Sequence, residues 1–231
     1  MKGLRLILIF FLLFACICNG QRSFQGAPMS FSSGIDPGYM TDYVDLGPLE
    51  FEVLGSEYDK EEYQIGKVLF EGEVQTFYFR FNSFRDRVEL KDRSERVFHL
   101  KKNPALQPFF GGKIYMLLHY NDEDGMLKMG YFVPLNRGKV VLFYKPRKIF
   151  QQASRPVNGY DNFHDPEIKD VSAYYIRIDE YIKPIKLRRR ILLKTLDKHP
   201  AEIRKFLSNQ HPDLKSEKGA LALIKYYNSL L

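Results

Sequence analysis

The sequence contains no tryptophan and only two cysteines among its 231 residues. Cys16 and Cys18 both lie within the first 20 residues, a segment that export would remove. The mature chain would then have no thiol, which excludes disulfides, thiolate metal sites and cysteine nucleophiles. Its stability would have to come from the hydrophobic core alone, and a chain of about 200 residues can form one.

Motifs for common catalytic and cofactor sites are also missing. There is no Gly-x-Ser-x-Gly nucleophile elbow, no Walker loop and no dinucleotide fingerprint. No two of the five histidines lie closer than 12 residues apart, so there is no local zinc signature. The sequence therefore predicts no cofactor, no metal ion and no assigned catalytic residue. If the protein is instead a hydrolase with dispersed residues, His164 and Asp165 in a proline-containing loop are the first candidates.

The one long apolar run, at the beginning of the chain, predicts a signal peptide over residues 1–20. Lys2 and Arg5 precede the apolar residues Leu6 to Phe14, a run too short to cross a bilayer as a helix. We expect cleavage after Gly20, because small residues precede that bond. The exported product would belong to the periplasm or the outer envelope.

A lipoprotein is the alternative interpretation of the same segment. Leu13 to Cys16 forms a lipobox in which Cys16 would become the lipidated first residue. The bulky Phe14 inside that box argues against it. In this reading the protein would be a structural lipoprotein held at the membrane.

Charge is distributed unevenly along the chain. Asp36 to Arg80 has a net charge of −8, whereas Tyr181 to Leu231 has a net charge of +8. Arginines at the start of a helix gain nothing from the helix dipole, so a partner for this basic cluster stays open beside a solvated helix start. We interpret five residues as a candidate surface for anionic envelope components or another envelope protein, and not for nucleic acid: Lys183, Lys186, Arg188, Arg189 and Arg190. A solvated helix start, or a contact with the acidic region, are the alternatives.

The middle of the chain has the pattern of antiparallel strands, and residues 21–48 read as an extended leader without periodicity. One face of the strand at 74–82 is apolar, because Phe77, Phe79 and Phe81 alternate with polar residues. The acidic stretch Asn121 to Gly125 is typical of a hairpin turn rather than of a calcium loop. Pro146 should end a strand, and residues 151–170 read as a long loop. The predicted strands include residues 67–70, 74–82, 88–91, 114–120, 127–135, 140–145 and 173–179, with an extended stretch at 184–187.

The last 44 residues change to a helical period. Apolar residues recur every three or four positions, Pro200 suits a first helical turn and Ser216 suits an N-cap. The predicted architecture is α+β: an antiparallel β-sheet roll or open barrel followed by a short C-terminal helical tail. The domain boundaries are 49–187 for the β-rich part and 188–231 for the helices.

Several stretches resemble a group of exported proteins of flavobacteria and related Bacteroidota that has no established activity. They are Gly55-Ser56-Glu57-Tyr58 with Glu62-Tyr63 and Gly66, Phe79-Arg80-Phe81-Asn82 with Asp86 and Glu89, Gly130-Tyr131-Phe132, and the tail Tyr226-Tyr227-Asn228-Ser229-Leu230. The resemblance spans residue 49 to the end, although Glu57 replaces a proline common in the group. It implies an exported β-rich domain with a helical tail and assigns no catalytic residue. The sequence thus predicts a non-enzymatic binding or envelope-associated module.

Overall fold

The computed structural model describes residues 40–41, 53–70, 72–91, 95–122, 124–153 and 165–231. The predicted signal peptide, its cleavage site, Cys16, His164 and all but two residues of the leader lie outside the described residues. Within them the strands are β1 Met40–Thr41, β2 Gln64–Phe70, β3 Glu73–Asn82, β4 Arg87–Lys91, β5 Val97–Leu100, β6 Gln107–Phe110, β7 Lys113–Ile114, β8 Met116–Asn121, β9 Leu127–Pro134, β10 Val140–Lys145, β11 Lys148–Gln151, β12 Glu167–Asp170, β13 Ala173–Ile178 and β14 Tyr181–Ile185. The helices are α1 Arg189–Thr195, α2 Pro200–Gln210 and α3 Glu217–Ser229.

The first half of the chain forms a seven-stranded sheet in the order β1-β5-β4-β3-β2-β6-β7. Its central strand β3 shows the expected alternation, with Phe77, Phe79 and Phe81 buried. Their rings continue through Phe110 and Tyr115, which stack with centroids 4.5 Å apart. This aromatic row forms the core of the first sheet.

The second half forms a five-stranded sheet in the order β14-β13-β10-β9-β8. The sheet curls so that its two edge strands, β8 and β14, contact each other. The two sheets meet where β6 and β7 contact β8 and β9. Across this junction Phe81 packs edge-to-face on Tyr131, with ring centroids 5.9 Å apart. The α+β class with an antiparallel sheet and a short C-terminal helical part is therefore confirmed.

The three helices cover the outer face of the curled sheet. Val140 and Leu142 of β10 point to this side and are buried with Leu192, Ile203 and Ile224 of the helices. Val141 and Phe143 point into the curl and pack with other apolar side chains. With both faces covered, β10 is apolar almost throughout, as a fully buried strand must be.

The prediction of a loop over residues 151–170 is wrong at both ends, because Gln151 belongs to β11 and the last four residues form a strand. Glu167–Asp170 forms β12 and pairs antiparallel with β11, with Phe150 opposite Ile168. The interior of that segment lies outside the described residues. The predicted strand at 114–120 is also interrupted, because Tyr115 leaves the ladder and donates its backbone N–H to the carbonyl of Pro108 at 2.9 Å. The short strands β5 and β6 were not predicted at all, since four residues rarely establish a period.

Candidate functional site

A cavity of about 320 Å³ lies where the two sheets meet at the end of β10. Its walls come from the turn after β3, from β8 and from the segment that joins β10 to β11. Both polar and apolar side chains line it, as they do in small-molecule sites. The lining residues are Ser83, Phe84, Asp86, Tyr120, Lys145, Pro146, Arg147, Lys148, Ile149 and Phe150.

Lys145 is the most unusual residue of this cavity, because its side chain is charged and almost fully buried. It is only 3% exposed. Its Nζ lies 4.7 Å from the ring centres of both Tyr120 and Phe132 and 3.6 Å from Asp86 Oδ1. Burial lowers the pKa of Lys145, and the Asp86 carboxylate opposes that shift only in part. The ammonium is therefore in an environment that would gain from a further negative charge.

Asp86 is held in place at the turn between β3 and β4. Its backbone is left-handed, with φ of 51°, which an aspartate tolerates better than most residues. Oδ1 accepts a hydrogen bond from the backbone N–H of Tyr131 at 3.1 Å, and Oδ2 accepts one from Lys102 at 3.0 Å. The Asp86 carboxylate thus forms ion pairs with two lysines, Lys102 and Lys145.

Gly130 allows these groups to come together. A Cβ atom at this position would lie 2.5 Å from Lys145 Nζ, 2.7 Å from Asp86 Oδ2 and 3.1 Å from Tyr120 Cε1. A side chain at Gly130 would have to displace the ends of Lys145 and Asp86, so the glycine of the Gly130-Tyr131-Phe132 motif allows both groups to approach β9 closely.

Ser83 adds a polar group without a partner. The residue is 2% exposed, and its Oγ has no hydrogen-bond partner among the described residues. Buried hydroxyls are usually hydrogen-bonded, so an unpaired one that lines a cavity indicates a place for a ligand acceptor or donor. Ile149 and Phe150 also line the cavity; they are 37% and 38% exposed and form its apolar rim.

A second cluster brings together residues from two of the four motif stretches. The Arg80 guanidinium lies 3.5 Å from the ring centre of Tyr58 and 4.4 Å from that of Tyr63. Arg80 Nη2 donates to Glu89 Oε2 at 2.8 Å, and Glu89 is 5% exposed. Arg80 and Glu89 are hydrogen-bonded to each other within the fold, so we assign this cluster a structural role.

Glu57 is fixed by hydrogen bonds from the end of β3 and the turn that follows it. Its side chain accepts hydrogen bonds from Asn82 at 2.8 Å and from Arg85 at 3.1 Å. Its carbonyl accepts the N–H of Ser83 at 2.9 Å. The loop that carries Glu57 thereby positions Ser83 at the cavity.

The five basic residues singled out in the sequence lie on one exposed segment from β14 into α1. Lys183, Lys186, Arg188, Arg189 and Arg190 are all exposed. No ion pair joins any of them to another described residue, and the first turn of α1 contains no acidic side chain. The structure separates this segment from the cavity-lining set. Asp165, the described member of the hydrolase candidate pair, is exposed.

Sequence reasoning missed Lys145, Ser83 and Asp86 as a set. The available signal was the alternation of β10, which places Lys145 on the same face as the buried Val141 and Phe143. A lysine at an inward position needs a partner, but Asp86 lies 59 residues earlier, and only the assembled sheets show the pairing. The described portion of the chain has no group of three or more potential metal ligands.

No protein-family model, curated protein or solved structure matches this chain. Within the described ranges, none of the helices has the length and apolar character needed to span a membrane. The functional proposal therefore rests on the cavity and on the sequence patterns.

Proposed function

We propose that this chain is an exported, non-enzymatic binding protein of the periplasm or outer envelope, related to the Bacteroidota group that its motifs resemble. The observation that carries the proposal is the cavity between the two sheets, where a buried lysine and an unpaired serine hydroxyl meet an apolar rim. Ligand sites typically combine a few convergent polar groups with apolar side chains, and this cavity has both. The proposed export rests on the signal-peptide pattern of residues 1–20.

Binding fits this cavity better than catalysis does. A serine nucleophile needs a base within hydrogen-bond reach, and Ser83 Oγ has no such partner in the described chain. Lys145 Nζ is instead directed to Asp86 and to the carbonyl of Tyr131, 3.5 Å away. An exported hydrolase using His164 and Asp165 is the competing hypothesis, and activity lost on His164→Ala would support it.

Association with an anionic envelope surface is a second part of the proposal. It is favoured by the five exposed basic residues of the β14–α1 segment, which lack ion-pair partners among the described residues. Basic clusters of this kind bind anionic headgroups in a salt-dependent way. Anchoring through a lipid on Cys16 would give attachment that salt does not reverse.

Fractionation of cells that express the full chain tests this proposal. We expect periplasmic or envelope protein with an intact mass that begins at Gln21, released from membranes by high salt. Native mass spectrometry of that protein should show a bound small molecule that is lost on unfolding. Full-length protein in the cytoplasm, with residues 1–20 retained, would overturn export. A lipid mass on Cys16, released only by detergent and absent from Cys16→Ser, would establish the lipoprotein instead.

A further inference from the structure

We propose that the cavity binds a small organic carboxylate, with the carboxylate group at Lys145 and Ser83 and a short apolar body against Phe84, Ile149 and Phe150. This inference rests on the proposed binding function and specifies the chemical class of the ligand. It is carried by the charge balance of the cavity, by its one unpaired hydroxyl and by the position of its apolar rim.

Positive charge exceeds negative charge around the cavity. Lys145, Arg147 and Lys148 line it, and Asp86 is the single acidic residue among the described lining residues. Asp86 is also shared with Lys102, which lies 3.0 Å away outside the cavity lining. Lys148 Nζ donates to the carbonyls of Ser56 and Tyr58, and neutral carbonyls do not cancel its charge. A ligand with one negative charge would therefore improve the electrostatic balance of the site.

Ser83 supplies a directional contact for the same group. Its hydroxyl has no partner among the described residues and is closed to solvent, so the side chain must rotate toward the cavity to donate to a ligand oxygen. A charge-assisted hydrogen bond from a hydroxyl to a carboxylate is among the stronger neutral-to-ion contacts. The two groups together can distinguish a carboxylate from an alcohol of equal length.

The apolar lining residues determine the rest of the ligand. Ile149 and Phe150 of β11 are large apolar side chains that remain more than a third exposed, and Phe84 lines the same cavity. The volume of about 320 Å³ is at the lower end of the range for ligand sites, roughly 300–1,000 Å³. A short aliphatic or aromatic acid fits that volume, whereas inorganic phosphate leaves the apolar wall unused.

Calorimetric titration and thermal unfolding of the mature protein test the inference, with sodium hexanoate, hexan-1-ol and inorganic phosphate as probes. Hexanoate should bind and raise Tm, since a ligand specific for the native state stabilises it. Hexan-1-ol and phosphate should bind at least tenfold more weakly. Lys145→Met and Ser83→Ala should each weaken hexanoate binding about tenfold or more, because each removes a contact to a charged group. Lys215→Met, which removes an exposed ammonium elsewhere, should bind as the wild type does.

Three results would overturn the inference. Equal binding of hexan-1-ol and hexanoate would show an apolar ligand site, and the proposed binding function would survive. Lys145-dependent phosphate binding as tight as hexanoate binding would show a site for inorganic anions. Hexanoate binding unchanged in Ser83→Ala and Lys145→Met would place the ligand elsewhere. If Lys145→Met fails to fold, Ser83→Ala alone decides, because an unpaired hydroxyl contributes little to stability.

Discussion

The side-chain amide of Asn228, near the end of the chain, pairs with both backbone polar groups of Val140 at the start of β10. Asn228 Oδ1 accepts the N–H of Val140 at 2.8 Å, and Asn228 Nδ2 donates to its carbonyl at 2.7 Å. The amide thus continues the hydrogen-bond ladder of β10 and joins α3 to the sheet. Within the tail motif, this is the residue that connects two regions 88 residues apart in sequence.

Asn228→Ala should reduce the free energy of unfolding by about 2 kcal/mol, because two partly buried hydrogen bonds are lost. Urea unfolding followed by circular dichroism would measure the change. The neighbouring Ser229→Ala serves as a control, since the Ser229 side chain is exposed and its hydroxyl bonds only within the helix. Equal midpoints for Asn228→Ala and Ser229→Ala would contradict the assigned role.

Tyr131→Phe should be as stable as the wild type, or more stable by up to about 1 kcal/mol. Tyr131 is 1% exposed, and its hydroxyl has no hydrogen-bond partner within the described part of the chain. Removing an unpaired buried hydroxyl leaves the ring packing on Phe81 intact. A loss of more than about 1 kcal/mol in the same unfolding assay would mean that the hydroxyl has a partner that contributes to stability.

The fold class and the longer strands and helices could be predicted from residue patterns, whereas the cavity at Lys145 could not. Strand β3 was predictable because Phe77, Phe79 and Phe81 alternate with outward residues over a long strand. The N-cap at Ser216 was also correct, since its side chain accepts the N–H of Gly219 at 3.1 Å. Both features are local, so a single stretch of sequence contains all the information they require.

The missed features depend on contacts between distant segments. Strand β12 exists because β11 lies beside it, and its four residues contain too few alternations to stand out. The cavity requires Asp86 and Lys145 to meet at the junction of two sheets, which no local period can show. The alternation of β10 predicts that Lys145 lies on the inward face of the strand. It does not predict that Asp86 is its partner.

Gly130→Ala should destabilise the protein by about 1–3 kcal/mol, the usual cost of forcing a methyl group into a filled space. The added Cβ would lie 2.5 Å from Lys145 Nζ. If that contact is the cause, Lys145→Ala should reduce the penalty of Gly130→Ala, and a double-mutant cycle measures the coupling. Equal penalties in both backgrounds would place the steric conflict elsewhere.

Alkaline pH should weaken the contact between the sheet and α3 at Tyr174. Its hydroxyl donates to Glu217 Oε2 at 3.1 Å. Burial and then this hydrogen bond raise the pKa of Tyr174 to about 12, above its ordinary value of 10.0. The folded state therefore holds its proton longer than the unfolded state does, so the stabilisation is complete below pH 10 and is lost as pH rises toward about 12.

The comparison of wild type with Tyr174→Phe isolates this effect. The wild type should be the more stable protein at pH 8, and the difference in urea midpoint should shrink as pH rises through the window. Tyr181→Phe is the control, because Tyr181 is 80% exposed and should show no such trend. A constant difference between wild type and Tyr174→Phe across the window would contradict the assignment.

Removing charge from the basic segment should abolish salt-reversible envelope association without affecting the fold. Arg188→Gln, Arg189→Gln and Arg190→Gln together remove three exposed charges that have no ion-pair partner among the described residues, so the urea midpoint should change little. Binding to anionic vesicles at low salt should fall by at least tenfold, since each basic residue near such a surface contributes about 1 kcal/mol. The matched variant Lys215→Gln, Lys218→Gln, Lys225→Gln removes the same charge from exposed positions around α3. If both triple variants lose binding equally, net charge rather than this segment determines the association.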